Sequence, residues 1–535
     1  MKAVFSDSSS LRRRWIEILV LAITFSAVEI ASAVPFREFY QPLQPPRSLQ
    51  VMAHRGLAAA APENTIPAIQ AAVEAGFEWV EVDVRRTKEG AHILLHDADL
   101  DRTTNGSGPV MQKTIKEIKA LDAGAWFALR FAGTAIPTLK EVLSYCKDKI
   151  NLYLDCKNIN PELLVREIND AQMEAQVVVF DSPEMLDKIN QLSDFSIAVM
   201  PSINEKIDAG YWAKRLRPAA VEIHANLLTP EIAKRFQEAG IYVQAQTLGE
   251  RDVKDVWRAC MDMGVDWIQT DYGENILAEY AWRKMGDSPS VKISAHRGAN
   301  EFAPENTLAA YRKAIDLGVD YIEIDVRKTK DGRLVSLHDG RLNRTTDGEG
   351  PVSEKTLEEL KPLSAGAWFG LPYAEERIPT LEEICELVRS HHGPKGPVGL
   401  YVDLKDPDLH LLVQILKQYG LAEKNVFYGS PDELLPLRQL LPGAQLMPGL
   451  GREEDFDKNV QLVKPYALDT SWNILSKAYI ERANQAGVLV FSDAMGFNEN
   501  VESYLHAIEW GITTIQTDRI PRVFRAIELA SQSKR

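Results

Sequence analysis

Trp79-Val80-Glu81-Val82-Asp83-Val84-Arg85 returns 242 residues later as Tyr321-Ile322-Glu323-Ile324-Asp325-Val326-Arg327. Each run alternates apolar and charged residues, so it reads as a strand with both carboxylates on one face. Upstream, His54-Arg55-Gly56 returns as His296-Arg297-Gly298, and Ala61-Pro62-Glu63-Asn64-Thr65 as Ala303-Pro304-Glu305-Asn306-Thr307. Downstream, His96-Asp97 returns as His338-Asp339, and Asp155-x-Lys157 as Asp403-x-Lys405 with the offset grown to 248. The extra residues fall in the Gly/Pro-rich stretch Gly393–Pro397, where a surface loop tolerates insertion. Gln269-Thr270-Asp271 closes one copy and Gln516-Thr517-Asp518 the other. A period this long means two domains of one fold, not a solenoid.

Within the first copy, β-rich runs stand at Val51–Ala53, Trp79–Val84, Ile93–Leu95, Asn151–Asp155, Val177–Phe180, Ile197–Met200, Ala220–His224, Ile241–Gln244 and Trp267–Gln269. Helical patterns occupy Thr65–Ala75, Pro161–Met173, Pro183–Leu192, Pro230–Ala239 and Asp252–Met263. Alternation of this kind over about 230 residues predicts the α/β class, as a TIM-like (β/α)8 barrel in each copy. A doubly wound open sheet is the alternative, but no glycine-rich dinucleotide turn follows the first strand. The short link from Asp83 to His96, with Gly90 at its middle, predicts a hairpin instead of a helical crossover. It would bring His96 back opposite Asp83. The stretch Arg102–Ile136, with Ala123-Gly124-Ala125-Trp126-Phe127, then reads as a small insertion over the barrel mouth. Trp126-Phe127 and Trp368-Phe369 are expected to pack that insertion rather than bind substrate.

The chain has 535 residues with 61 Lys+Arg against 76 Asp+Glu, a formal charge of −15. With 45% hydrophobic and 26% charged residues it is of ordinary globular composition, neither disordered nor collagenous. The acidic balance argues against nucleic acid as a partner, since phosphate neutralisation needs a basic surface. Cys146, Cys156, Cys260 and Cys385 are too few for a disulfide framework and are expected as buried thiols. Residues 1–33 read as a secretory signal: Arg12-Arg13-Arg14, an apolar run from Trp15 to Ile30, then Ala31-Ser32-Ala33. An uncleaved anchor is the alternative. The expected organisation is a lead-in at 34–48, barrels at 49–282 and 292–530, and a linker at 283–291, in a secreted or periplasmic protein without a permanent membrane span.

Strand ends of a barrel face one mouth, where active sites are built. There His54, the pair Glu81 and Asp83, and the pair Asp155 and Lys157 would converge. Three carboxylates repel one another unless a cation lies between them, and oxygen donors without a Cys/His cluster suit a hard ion, Ca2+ or Mg2+. Two imidazoles, a cation site, an arginine and a lysine suit cleavage of a phosphodiester. No G-x-S-x-G elbow supports serine chemistry. Glu63-Asn64-Thr65 alone reads as a loop with a helix cap.

The order His-Arg-Gly, Glu-Asn-Thr, Glu-x-Asp, His-Asp, Asp-x-Lys and a closing Thr-Asp resembles the glycerophosphodiester phosphodiesterase family, once per copy over nearly all of 49–530. The resemblance implies hydrolysis of small glycerophosphodiesters to glycerol 3-phosphate and an alcohol, with one divalent cation per barrel. It implies His54 and His96 as the acid–base pair, Glu81, Asp83 and Asp155 as metal ligands, and Arg55 and Lys157 on the phosphate. In the second copy the matching residues are His296 and His338, then Glu323, Asp325 and Asp403, then Arg297 and Lys405. Two departures stand out. The third ligand, usually Glu in the family, is Asp in both copies, and neither penultimate strand carries the family's Trp-Thr pair. Gln244 and Gln246 of that strand become Phe491 and Asp493, positions expected near the barrel mouth. This predicts different head-group preferences for the two barrels, the acid disfavouring anionic leaving groups and tolerating cationic ones such as choline or ethanolamine. A phospholipase D-type activity on lysophospholipids, signalled by an exposed apolar rim, and a binding protein with degenerate sites are the alternative functions.

Overall fold

The computed structural model describes residues 36–204, 207–285 and 291–532. The signal reading at 1–33 and residues 286–290 of the join lie outside them. In the first copy the strands are β1 (Gln50–Ala53), β2 (Trp79–Arg86), β3 (His92–Leu94), β4 (Asn151–Asn158), β5 (Val177–Phe180), β6 (Ala198–Met200), β7 (Ser202–Ile203), β8 (Ala220–His224), β9 (Tyr242–Gln246) and β10 (Trp267–Thr270). All pair in parallel along the order β6-β5-β4-β2-β1-β10-β9-β8-β7, except β3, which is antiparallel to β2. Pro201 has no N–H to donate to a ladder and splits one strand into β6 and β7. Ala219 N–H to Val199 O and Glu222 N–H to Pro201 O carry the ring across that break, so eight strands close a barrel.

The second copy has β11 (Lys292–Ala295), β12 (Tyr321–Lys328), β13 (Leu334–Ser336), β14 (Gly399–Leu404), β15 (Val426–Gly429), β16 (Gln445–Leu450), β17 (Ala467–Thr470), β18 (Leu489–Asp493) and β19 (Thr514–Thr517). Here β11 pairs with both β12 and β19 and closes the ring. The chain is two tandem TIM-like barrels. In each, the predicted hairpin is present: β3 returns along β2 with Val84 opposite Leu94, turning at Gly90 with φ 88°. The residues from Val110 to Phe131 form short helical turns over a small core of their own, which includes Leu95, Leu100, Val110, Ile118 and Ile136.

Local chemistry explains the helices. Thr65, Asn160, Ser182 and Thr229 accept from the N–H three residues on, and Pro161, Pro183 and Pro230 open three of those helices with a pre-set φ. Helices Leu139–Cys146, Ala209–Arg215 and Gly273–Met285 were not apparent in the sequence pattern. The last of these makes residues 283–285 helical, inside the stretch read as a linker. It packs against Ile520–Gln532 of the second barrel, with the Trp282 and Phe524 rings 5.2 Å apart and near perpendicular. The lead-in closes the bottom of the first barrel, with Phe39 edge-on to Trp79 and Trp267. Just beyond, Arg47 is buried between two barrels: its guanidinium lies 2.8 Å from both Glu78 and Glu528. All four cysteines are buried free thiols.

Candidate active site

Both barrels gather the same side chains at the C-terminal ends of their strands. Glu81 and Asp83 point inward from β2, and register sets Asp83 beside Asp155 on β4. One oxygen from each of Glu81, Asp83 and Asp155 falls within 4.8 Å of the others, as do those of Glu323, Asp325 and Asp403. Glu81 Oε1 and Asp83 Oδ1 are buried and make no hydrogen bond among the described residues. Burial, then repulsion from Asp83 and Asp155, pushes Glu81 well above the usual carboxylate range, and the same causes act on Glu323. Such a donor set fits a hard divalent cation, which would bind oxygens that lack hydrogen bonds and relieve the repulsion.

Lys157 donates to Asp155 at 2.6 Å and lies 3.3 Å from Asp83 Oδ1; Lys405 repeats this with Asp403 at 2.7 Å and Asp325 at 3.2 Å. Burial lowers the Lys157 ammonium, but Asp155 outweighs it and the net direction is up. Arg55 takes a left-handed backbone, φ 56°, which turns its N–H onto Glu81 Oε2 at 2.8 Å, and Arg297 does the same with φ 54° toward Glu323. A Cβ on the next residue, Gly56, would stand 2.6 Å from Ala68 Cβ, which is why the strained turn ends in glycine. The Arg55 guanidinium reaches Glu63 at 3.0 Å and lies 3.5 Å from Asp83.

Each histidine is held by an aspartate through Nδ1. His54 meets Asp271 at 2.6 Å and His96 meets Asp97 at 2.7 Å, while His296 meets Asp518 and His338 meets Asp339, both at 2.8 Å. That leaves each Nε2 free of its aspartate, and His54 Nε2 stands 3.8 Å from Glu81. Burial lowers the His296 imidazolium, but the hydrogen bond to Asp518 outweighs it and raises its pKa. Arg102 and then His96 hold Asp97 well below the carboxylate range, as Arg344 and His338 hold Asp339. His96 is fixed from the other side too: Arg85 grips its carbonyl with Nε and Nη2 at 2.8 and 2.6 Å.

The structure thus brings together every site residue named from the sequence, and adds others. Thr65 is the helix cap expected of it, but Asn64 does more. With φ 57° it donates to Asp83 Oδ2 at 2.7 Å and accepts from the Asp83 N–H at 2.9 Å, fixing that carboxylate. Glu63 ties Arg55 to Arg102. Asn306, Glu305 and Arg344 repeat both devices, and that recurrence was the available signal for them. One expectation about the mouth fails: Phe491 is not there. It is 1% exposed, inside the barrel among Tyr321, Tyr401 and Met447, and Gln244 is equally buried. Strand period two sets both penultimate positions inward, but the earlier one lies a layer deeper.

Trp126 donates to Ala123 O, and Phe127 packs edge-on against Phe131, so these aromatics serve the insertion's own packing.

The sequence model of the glycerophosphoryl diester phosphodiesterase family matches residues 54–274 and again 296–522. A glycerophosphodiester phosphodiesterase of Caldanaerobacter subterraneus is 32% identical over 241 residues, covering 44% of this chain and 97% of its own. One from Bacillus subtilis is 30% identical over 260 residues, covering 44% of this chain and 85% of its own. Among solved structures, an Oleispira antarctica phosphodiesterase in complex with the product sn-glycerol-3-phosphate is 27% identical, with a TM-score of 0.40, over 44% of this chain and 96% of that one. The chain belongs to the glycerophosphoryl diester phosphodiesterase family, with the enzyme domain present twice.

Proposed function

We propose that each barrel hydrolyses glycerophosphodiesters to glycerol 3-phosphate and an alcohol in the presence of a divalent cation, Ca2+ or Mg2+. The observation that carries this reading is the twinned constellation: a three-carboxylate cage beside two Asp-held histidines, in both barrels. Glu81, Asp83 and Asp155, or Glu323, Asp325 and Asp403, would hold the cation, which when bound supplies positive charge to the phosphoryl oxygens. Arg55 and Lys157 add charge on the same side and orient the phosphate. Both are now turned onto carboxylates, and a bound cation would free them for substrate. His54 and His96 then act through Nε2, one taking a proton from the attacking oxygen and the other giving one to the departing alcohol. Asp271 and Asp97 keep each imidazole in the tautomer and pose that this needs.

The test uses the full chain on a panel of glycerophosphodiesters. Chelation abolishes hydrolysis and Ca2+ or Mg2+ restores it. With the second barrel silenced by His296→Ala, adding His54→Ala lowers the remaining kcat by on the order of 10²–10⁴. Full activity in excess chelator, or an intact kcat in the double variant, overturns the reading. A lysophosphatidylcholine arm belongs in the same panel, because Phe497 is fully exposed beside Asn498 at the mouth of the second barrel. Among the described residues no helix is long and apolar enough to cross a membrane.

A further inference from the structure

We propose that the mouth of the second barrel holds a pocket for an alcohol bearing an ammonium group, a preference that the first barrel lacks. This rests on the reading above and adds to it which leaving group the second site favours.

Strand register builds the pocket. Asp403 pairs with Tyr428, Gly449 with Asp469, and Asp493 with Gln516, so these residues follow one another around the rim from the carboxylate cage. A cavity of about 560 Å3 lies among Tyr428, Gly449, Asp469, Trp472, Asp493 and Asn498. Asp469 is only 8% exposed. Its Oδ2 accepts from Tyr401 at 3.1 Å, while its buried Oδ1 has no hydrogen-bond partner among the described residues. Asp493 accepts from Gln516 at 2.6 Å. No lysine, arginine or histidine is among the residues that line the cavity. Burial pushes Asp469 up to about 7, and burial with repulsion from Asp469 pushes Asp493 up against the opposing charge of nearby His296. Two buried acids so placed favour a cationic guest, because positive charge between them offsets both desolvation and repulsion.

The guest is organic rather than a metal ion. Among the described residues only the two cages bring three donor-bearing side chains within 4.8 Å, and Asp469 and Asp493 belong to neither. The cavity is far larger than a desolvated ion needs, and its walls include an indole and a phenol, groups whose ring faces attract ammonium ions. Trp472 is held in place edge-on against Tyr504. The first barrel keeps only one of the two acids and neither the indole nor the phenol. At the matching positions it carries Phe180, Glu222, Ala225 and Gln246 for Tyr428, Asp469, Trp472 and Asp493. Its one acid, Glu222, accepts from Tyr153 at 3.1 Å.

The experiment uses the full chain with His54→Ala, so that only the second barrel turns over, at saturating divalent cation. Glycerophosphocholine is compared with glycerophosphoglycerol. The choline ester is preferred, and adding Asp469→Asn or Asp493→Asn lowers the choline-to-glycerol ratio of kcat/KM by about tenfold, the scale of one lost charge-assisted contact. With His296→Ala instead, the ratio stays near one. Calorimetric titration with choline chloride gives a readout free of turnover: heat of binding in the wild-type chain, lost in an Asp469→Asn variant whose Tm shows that it is folded. Binding without hydrolysis of any ester by the His54→Ala protein would keep the pocket and remove the catalytic reading of this barrel. Equal ratios in the His54→Ala protein and its Asp469→Asn and Asp493→Asn derivatives, or choline binding that survives both substitutions, would overturn the pocket.

Discussion

Asn64 shows how much of this site is held by residues that do no chemistry. Its amide spans the Asp83 carboxylate and the Asp83 N–H, and its left-handed backbone is what lets one side chain make both bonds. Groups that orient metal ligands commonly set affinity by 10–100-fold. Asn64→Ala, studied with the second barrel silenced by His296→Ala, is therefore expected to weaken cation affinity by about that factor, with kcat largely recovered at high cation concentration. A kcat that stays low at saturating cation would assign Asn64 to the reaction itself. From the sequence this residue read only as part of a helix cap, since spacing reports which residues share a strand face but not which side chain a loop folds back upon. The histidines and the Glu-x-Asp pair were legible because strand period two and barrel polarity are enough to converge them. Asp469 was not: an acid on a later strand becomes notable only once closure of the ring brings it round to Asp493.

At the scale of the element, the barrel strands and the hairpin at Gly90 were readable from alternation and turn chemistry. The short helix Leu139–Cys146 was less so, since eight residues hold barely two turns of pattern. The insertion was visible only as a gap in the β/α rhythm, yet its conformation is closely specified. A Cβ at Gly124 would stand 2.0 Å from Phe131 O, and one at Gly366 would stand 2.1 Å from Tyr373 O, so the Ala-Gly-Ala-Trp-Phe turn tolerates no side chain there. The two insertions also touch. Arg130 donates to Phe369 O at 2.9 Å, and Gly370 gives room to Phe127 O, which a Cβ there would approach to 2.5 Å. Gly124→Ala must displace backbone, at a cost of about 1–3 kcal/mol. It is expected to lower turnover of the first barrel and also, measured in a His54→Ala protein, of the second. Unchanged second-barrel turnover would mean that the contact between insertions transmits nothing.

Over the whole molecule, the duplication was plain in the sequence but the joint between the copies was not, because it is made by residues outside the repeated motifs. Helices Gly273–Met285 and Ile520–Gln532 pack together, Arg522 reaches Glu74 at 2.9 Å, and Lys313 pairs with Glu274. Deepest is Arg47, between Glu78 and Glu528 with all three side chains 1% exposed. Removing one partner of a buried ion pair costs about 3–5 kcal/mol. We expect one calorimetric unfolding transition for the wild-type chain and two for Glu528→Ala, as the barrels lose their shared anchor; a single shifted transition would show that the helix pair alone couples them. Arg47 and Glu528 are also separated in time. A ribosome delivers Arg47 before any strand of the first barrel and Glu528 only within the last helix of the second, and domains generally fold as they emerge. The first barrel can close its ring with Arg47 paired to Glu78 alone, but the strap beneath it gains its second anchor only when the other barrel is complete. A segment made ahead of its own barrel is thus among the last to be locked, and the lock is supplied by that barrel's duplicate.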